Sequence, residues 1–173
     1  MALKQFSGQY MPEADRLLLR LSTDQGDEYR LLITRRIAKL MLAKHQEKSL
    51  DLVAHNTSPT ASKEVLAFKQ ESMRQKTNWK QAFEPSKQLP LGEKPLLVAA
   101  VEYTFKQQND KKLVSMKLTL RDHSTLSMNL PQASLTALQL LIEQLQAQAE
   151  WLLLDLSPSA LNNATLSIAP AVH

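Results

Sequence analysis

The sequence predicts an α+β fold: an antiparallel sheet of about five strands with helices packed on one face. Three observations lead there. Leu17, Leu19 and Leu21, and then Tyr29, Leu31 and Ile33, take every second position on either side of a short link containing Gly26. Val114, Met116, Leu118 and Leu120, followed by Leu126, Met128 and Leu130, repeat the pattern further along. Each pair of runs is followed by apolar residues at helical spacing. Period two buries one face of a strand, and a period near 3.6 buries one stripe of a helix.

A length of 173 residues fits a single domain spanning 1–173. Residues 1–14, with Gly8 and Pro12, read as an irregular N-terminal segment. Residues 17–21 and 29–33 form a hairpin, its turn supplied by Gly26 and kept solvated by Asp24, Asp27 and Glu28. Those acids lack the spacing and number of oxygens that a calcium loop needs. Thr34 is placed to cap a helix whose apolar positions are Ile37, Leu40 and Met41. Residues 49–61 have turn composition and read as a loop. A second helix with a ragged apolar stripe is expected over 62–83, followed by an irregular stretch broken by Pro85, Pro90, Gly92 and Pro95.

Residues 96–105 are rich in β-formers and read as a central strand, followed by the hairpin of 114–120 and 126–130. Pro131 suits the first turn of a helix carrying Leu135, Leu138, Leu141, Ile142, Leu145 and Ala149 on one stripe. Residues 157–173 form a C-terminal tail with little charge. Residues 17–42 and 116–140 share the order strand, turn, strand, helix, which suggests two pseudo-repeated units. Any amphipathic hairpin followed by a helix gives the same match.

Composition narrows the function. There are no cysteines, which removes thiolate chemistry and disulfides and fits a reducing, cytoplasmic setting. Three glycines and no GxGxxG or P-loop spacing argue against a nucleotide-phosphate enzyme. His45, His55, His123 and His173 show no metal-binding spacing, and no GxSxG elbow is present. No cofactor and no metal are expected. No leader pattern or membrane-length apolar run appears, so no membrane partner is expected.

Charge is segregated. Residues 122–173 hold Asp122, Glu143, Glu150 and Asp155 and no Lys or Arg. Arg30, Arg35, Arg36, Lys39, Lys44 and Lys48 lie within 29–48 against a single acid, Glu47. Strand alternation puts Arg20 and Arg30 on the face away from the leucines, with Arg35, Arg36 and Lys39 following at the strand-to-helix junction. Lys112, Lys117 and Arg121 extend that surface if both hairpins share one sheet. Such a surface suits nucleic acid or another anion, although stacking aromatics are scarce. The helix from 132 has glutamines in place of charges on its polar side, so Gln139 and Gln146, with Trp151, are candidate contacts to a partner protein; Trp79 is another. The expectation is a non-enzymatic binding or adaptor protein, a homo-oligomer or assembly subunit. The alternative is a nucleic-acid-binding module built on the basic sheet face and strand–helix junction.

Overall fold

In a computed structural model the chain forms an α+β fold, in which the described residues make a six-stranded mixed sheet with two long helices on one face. The structure describes residues 1, 3–54, 64–65, 67–68, 71–72, 83–108 and 111–151. The strands are β1 (Leu3–Met11), β2 (Arg16–Thr23), β3 (Glu28–Ile33), β4 (Leu96–Gln108), β5 (Lys111–Leu120) and β6 (Thr125–Leu130). The helices are α1 (Arg35–Ala54) and α2 (Gln132–Gln148). Strand order follows the chain, β1-β2-β3-β4-β5-β6.

Two features differ from the expected sheet. Residues 3–11, read as irregular, are the edge strand β1, antiparallel to β2. Its inward positions are Phe6, Gly8 and Tyr10, opposite Leu21, Leu19 and Leu17. Gly8 breaks the apolar alternation because α2 sits there: a Cβ at that position would meet Leu145 Cδ1 at 2.5 Å. The second difference is polarity. β3 and β4 pair parallel, Leu31 against Leu96 and Leu32 against Leu97, so the sheet is not purely antiparallel. The chain returns to this level of the sheet only after α1, and a crossover of that kind permits a parallel neighbour. Each half of the sheet is therefore a three-stranded meander followed by a helix. The two edges meet at one corner, where the Asn129 amide donates to the Met1 carbonyl.

The alternating residues read from the sequence do face the interior. Leu17, Leu19, Leu21, Leu31, Ile33, Met116, Leu118, Met128 and Leu130 are buried under Ile37, Met41, Leu135, Leu138 and Ile142 from the helices. Thr34 caps α1, its Oγ1 accepting the Ile37 amide at 3.3 Å. The inward stripe of α1 is Ile37, Ala38, Met41, Leu42 and His45; Leu40, expected among them, is 43 % exposed. α1 also continues to Ala54, through half of the stretch expected to be a loop. Of the helix expected over 62–83, residues 64–65, 67–68 and 71–72 are helical and the remainder up to 82 lies outside the described residues, as does the tail 157–173. Among the described residues no helix is long and apolar enough to cross a membrane.

Candidate functional site

The outer face of the sheet, away from the helices, carries the charge. Arg20 and Arg30 are register partners on β2 and β3. Glu28, two residues before Arg30, lies on the same face. Its Oε1 accepts from Arg20 Nε at 3.0 Å and from Arg30 Nε at 2.9 Å. Its Oε2 accepts the Ser86 amide at 2.9 Å. The Glu28 side chain is fully buried, and those of Arg20 and Arg30 are 27 % and 29 % exposed. Burial pushes the Glu28 carboxyl up, but hydrogen bonds from Arg30, Ser86 and Arg20 outweigh it and hold the group below the usual carboxylate range.

Burial of Glu28 comes from residues 83–93, which run as a strap over this end of the sheet. Gln5 Nε2 donates to the Glu84 carbonyl at 2.6 Å, and the Glu28 amide donates to the Gln88 carbonyl at 2.8 Å. Ser86 Oγ donates to the Gly26 carbonyl. Arg30 Nη1 donates to the Glu93 carbonyl at 3.2 Å, and the Phe83 ring lies 4.2 Å from the Arg20 guanidinium carbon. One step along the strands, beyond the arginines, the same face carries Leu18, Leu32 and Leu97, adjacent on β2, β3 and β4 and all half-buried.

A second cluster closes on Asp15. This residue links β1 to β2 in the left-handed conformation, φ 49°. Its carboxylate accepts Arg35 Nε at 2.8 Å, Trp151 Nε1 at 2.7 Å and the Tyr10 hydroxyl at 3.1 Å. The Arg35 guanidinium, followed by the Trp151 indole, holds the Asp15 carboxyl below its ordinary value. Trp151 reaches it because α2 ends with Glu150 at φ 54°, the Glu150 amide on the Ala147 carbonyl and the Trp151 amide on the Gln146 carbonyl. That is a Schellman ending with glutamate where glycine is usual.

A third group is internal. His45 of α1 is fully buried, with Nε2 2.6 Å from the Tyr103 hydroxyl of β4 and Nδ1 without a hydrogen-bond partner. Burial pushes the imidazole pKa down to about 3 and the Tyr103 phenol up. Among the described residues no three His, Asp or Glu side chains converge as a metal site.

The residues singled out from sequence thus separate into several places. Arg20 and Arg30 share the outer face as expected, but one internal carboxylate lies between them. Arg35 is engaged with Asp15. Arg36 is exposed, its Nη2 3.4 Å from the Ala99 carbonyl, and Lys39 is exposed one turn later. Arg121 is exposed beside the start of β4, its amide on the Leu97 carbonyl. Lys117 stands opposite Glu102, Nζ to Oε2 3.7 Å. Lys112 is in β5, with its side chain outside the described residues, and Trp79 lies outside them altogether.

Gln139, Gln146 and Trp151, the candidate contacts to a partner protein, are 5 %, 4 % and 5 % exposed within the chain. Gln139 donates to Glu143 Oε1 at 2.9 Å. Sequence reasoning did not find Asp15, His45 and Tyr103, and gave Glu28 only a solvating role in a turn. One signal for Glu28 was available: it shares a strand face with two arginines. No known protein family, curated protein or solved structure matches the chain.

Proposed function

We propose that the protein is a non-enzymatic binding or adaptor protein that works through protein–protein contacts, as a homo-oligomer or as a subunit of a larger assembly. One observation carries this reading. The groups best suited to acid–base chemistry, Glu28, Asp15 and the His45–Tyr103 pair, are each tied up by their own chain, whereas the leucine row on the outer face is half-buried and rimmed by arginines. Catalysis needs a titratable group free to meet a substrate. Recognition needs an apolar centre with a polar rim. Light scattering on the purified chain tests the proposal together with an affinity column bearing it. A mass above 19.5 kDa, or a partner retained from its own cell extract, is expected. A strictly monomeric mass with nothing retained overturns it.

Binding of nucleic acid is the second reading, favoured by Arg36 and Arg121, which flank residues 97–99 from α1 and from the β5–β6 turn. It requires retention on heparin that falls steeply with salt, each neutralised phosphate adding about 0.7 to the salt slope on a single strand. Arg36→Glu with Arg121→Glu should then abolish retention. Retention by the double variant equal to the parent's removes this reading.

A further inference from the structure

On the adaptor reading, on which this inference rests, the leucine row has a shape and a charge pattern that specify its partner. Neighbouring strands lie about 4.8 Å apart, so Leu18, Leu32 and Leu97 on β2, β3 and β4 span about 10 Å across the sheet. Two turns of α-helix rise about 11 Å. Apolar side chains at i, i+3 or i+4, and i+7 of such a helix match the row in both spacing and length.

Charge fixes the rest. Arg20 and Arg30 border the row on one side and share a single carboxylate, so the pair keeps one net positive charge. Arg16, the outward residue of β2 on the other side, and Arg121, bonded through its amide to the Leu97 carbonyl, add two more. Of the acids on this face, Glu28 is buried beneath the strap and Glu102, further along β4, stands opposite Lys117. The described part of the chain's own helical segment does not supply the occupant, because Phe68 on it is 76 % exposed. We infer that the Leu18–Leu32–Leu97 row, with its arginine rim, receives an amphipathic helix of a partner protein whose apolar stripe is flanked by acidic residues.

A short fluorescein-labelled helical peptide with a leucine stripe and glutamate flanks, followed by anisotropy, tests this against a twin carrying lysines in place of the glutamates. The glutamate peptide should bind and the lysine twin should not, and added salt should weaken the binding. Leu32→Ser should weaken it about tenfold. Arg121→Glu, on an exposed side chain that leaves the interior untouched, should weaken it as well, with thermal melting by circular dichroism confirming that both variants fold. Equal binding of the two peptides, or affinity unchanged in Arg121→Glu, overturns the inference. So does oligo-dT binding that these same substitutions abolish, which points to nucleic acid instead. Neither peptide binding, while the affinity column still retains a protein, sinks this inference and leaves the adaptor reading standing. A light-scattering dimer that Leu32→Ser returns to monomer also overturns it, by making a second copy the occupant.

Discussion

Arg20 and Arg30 face each other directly across β2 and β3, and one oxygen of Glu28 accepts a hydrogen bond from both. Like charges directly opposite on a sheet repel. Here the repulsion is relieved from within the strand pair, and the carboxylate that relieves it is kept from water by residues 83–93. The hairpin and the strap are thus joined by electrostatics as well as by backbone hydrogen bonds. A face that reads in sequence as a free cationic patch is an ion triad with one charge to spare.

Replacing Glu28 tests that account. Glu28→Gln keeps the shape but leaves two guanidiniums with no counter-charge, and urea unfolding should show a loss of about 3 kcal/mol. Faster hydrogen exchange at the Ser86 amide should accompany it, since that amide binds Glu28 Oε2. The carboxyl is held below its ordinary value, so its contribution is present above pH about 4.5 and disappears as the pH falls through the folded-state value. A loss under about 1 kcal/mol would show the triad to be no stronger than an ordinary surface pair.

The His45 imidazole should give the protein a distinct acid sensitivity. Its pKa is about 3 when folded, against 6.5 when exposed, so between these values the unfolded chain takes up a proton that the folded chain refuses. Stability from this source is complete above pH about 6.5 and declines to about pH 3, by about 5 kcal/mol in all. Glu28 and Asp15 are held below their ordinary values and contribute only at the acid end of that range. Urea midpoints between pH 6 and 5 therefore isolate the histidine. His45→Leu should flatten the slope there by about 1.4 kcal/mol per pH unit, and an unchanged slope would dismiss the buried imidazole as its source.

Much of this fold is legible in the residues because strand and helix periods are local. The inward sets of β2, β3, β5 and β6, the Thr34 cap and the α2 stripe all follow from spacing along the chain. The parallel β3–β4 pair does not, since it joins Leu31 to Leu96 and no periodicity encodes which edges meet. β1 was hidden by the glycine that its neighbour requires. The site was harder still. That Arg20 and Arg30 share a face is readable from alternation, but the strap over Glu28 brings residues 83–93 back onto a hairpin some sixty positions earlier. The uncharged amides of Gln139 and Gln146 mark a helix face suited to burial, but what packs over that face is not written in the helix itself.

Gly8 offers a steric test of how α2 seats on β1. A Cβ there would lie 2.5 Å from Leu145 Cδ1, 3.0 Å from Leu19 Cδ2 and 3.3 Å from Leu141 Cδ2. All three leucines are buried, so their methyl groups have little room to retreat. Gly8→Val should cost about 2 kcal/mol despite valine's better strand propensity, and Gly8→Ala should cost less. The comparison that matters is a double variant. Shortening Leu145 to Ala in the Gly8→Val background should recover part of the loss, because the new side chain fills the space vacated. Strictly additive losses would show that Gly8 is not the point of close approach.

Trp151 should matter through its single nitrogen. The indole N–H is one of the donors on Asp15, whose carboxylate also draws Arg35 from the start of α1 and Tyr10 from β1. The cluster thereby fastens the end of α2 to the β1–β2 link and to α1. Trp151→Phe preserves an aromatic ring edge-on to Tyr10, where the native centroids are 6.1 Å apart, and removes only the donor. Unfolding free energy should fall by about 1 kcal/mol, the net worth of a typical hydrogen bond, slightly more if the charged acceptor dominates. Asp15→Asn should cost more than Trp151→Phe: it keeps a residue tolerant of positive φ but turns the ion pair with Arg35 into a neutral contact. Measured in an Asp15→Ala background, Trp151→Phe should cost clearly less than in the parent, because that background has no side-chain oxygen to accept the indole N–H. Equal costs in the two backgrounds would mean that Trp151 holds its place by packing alone.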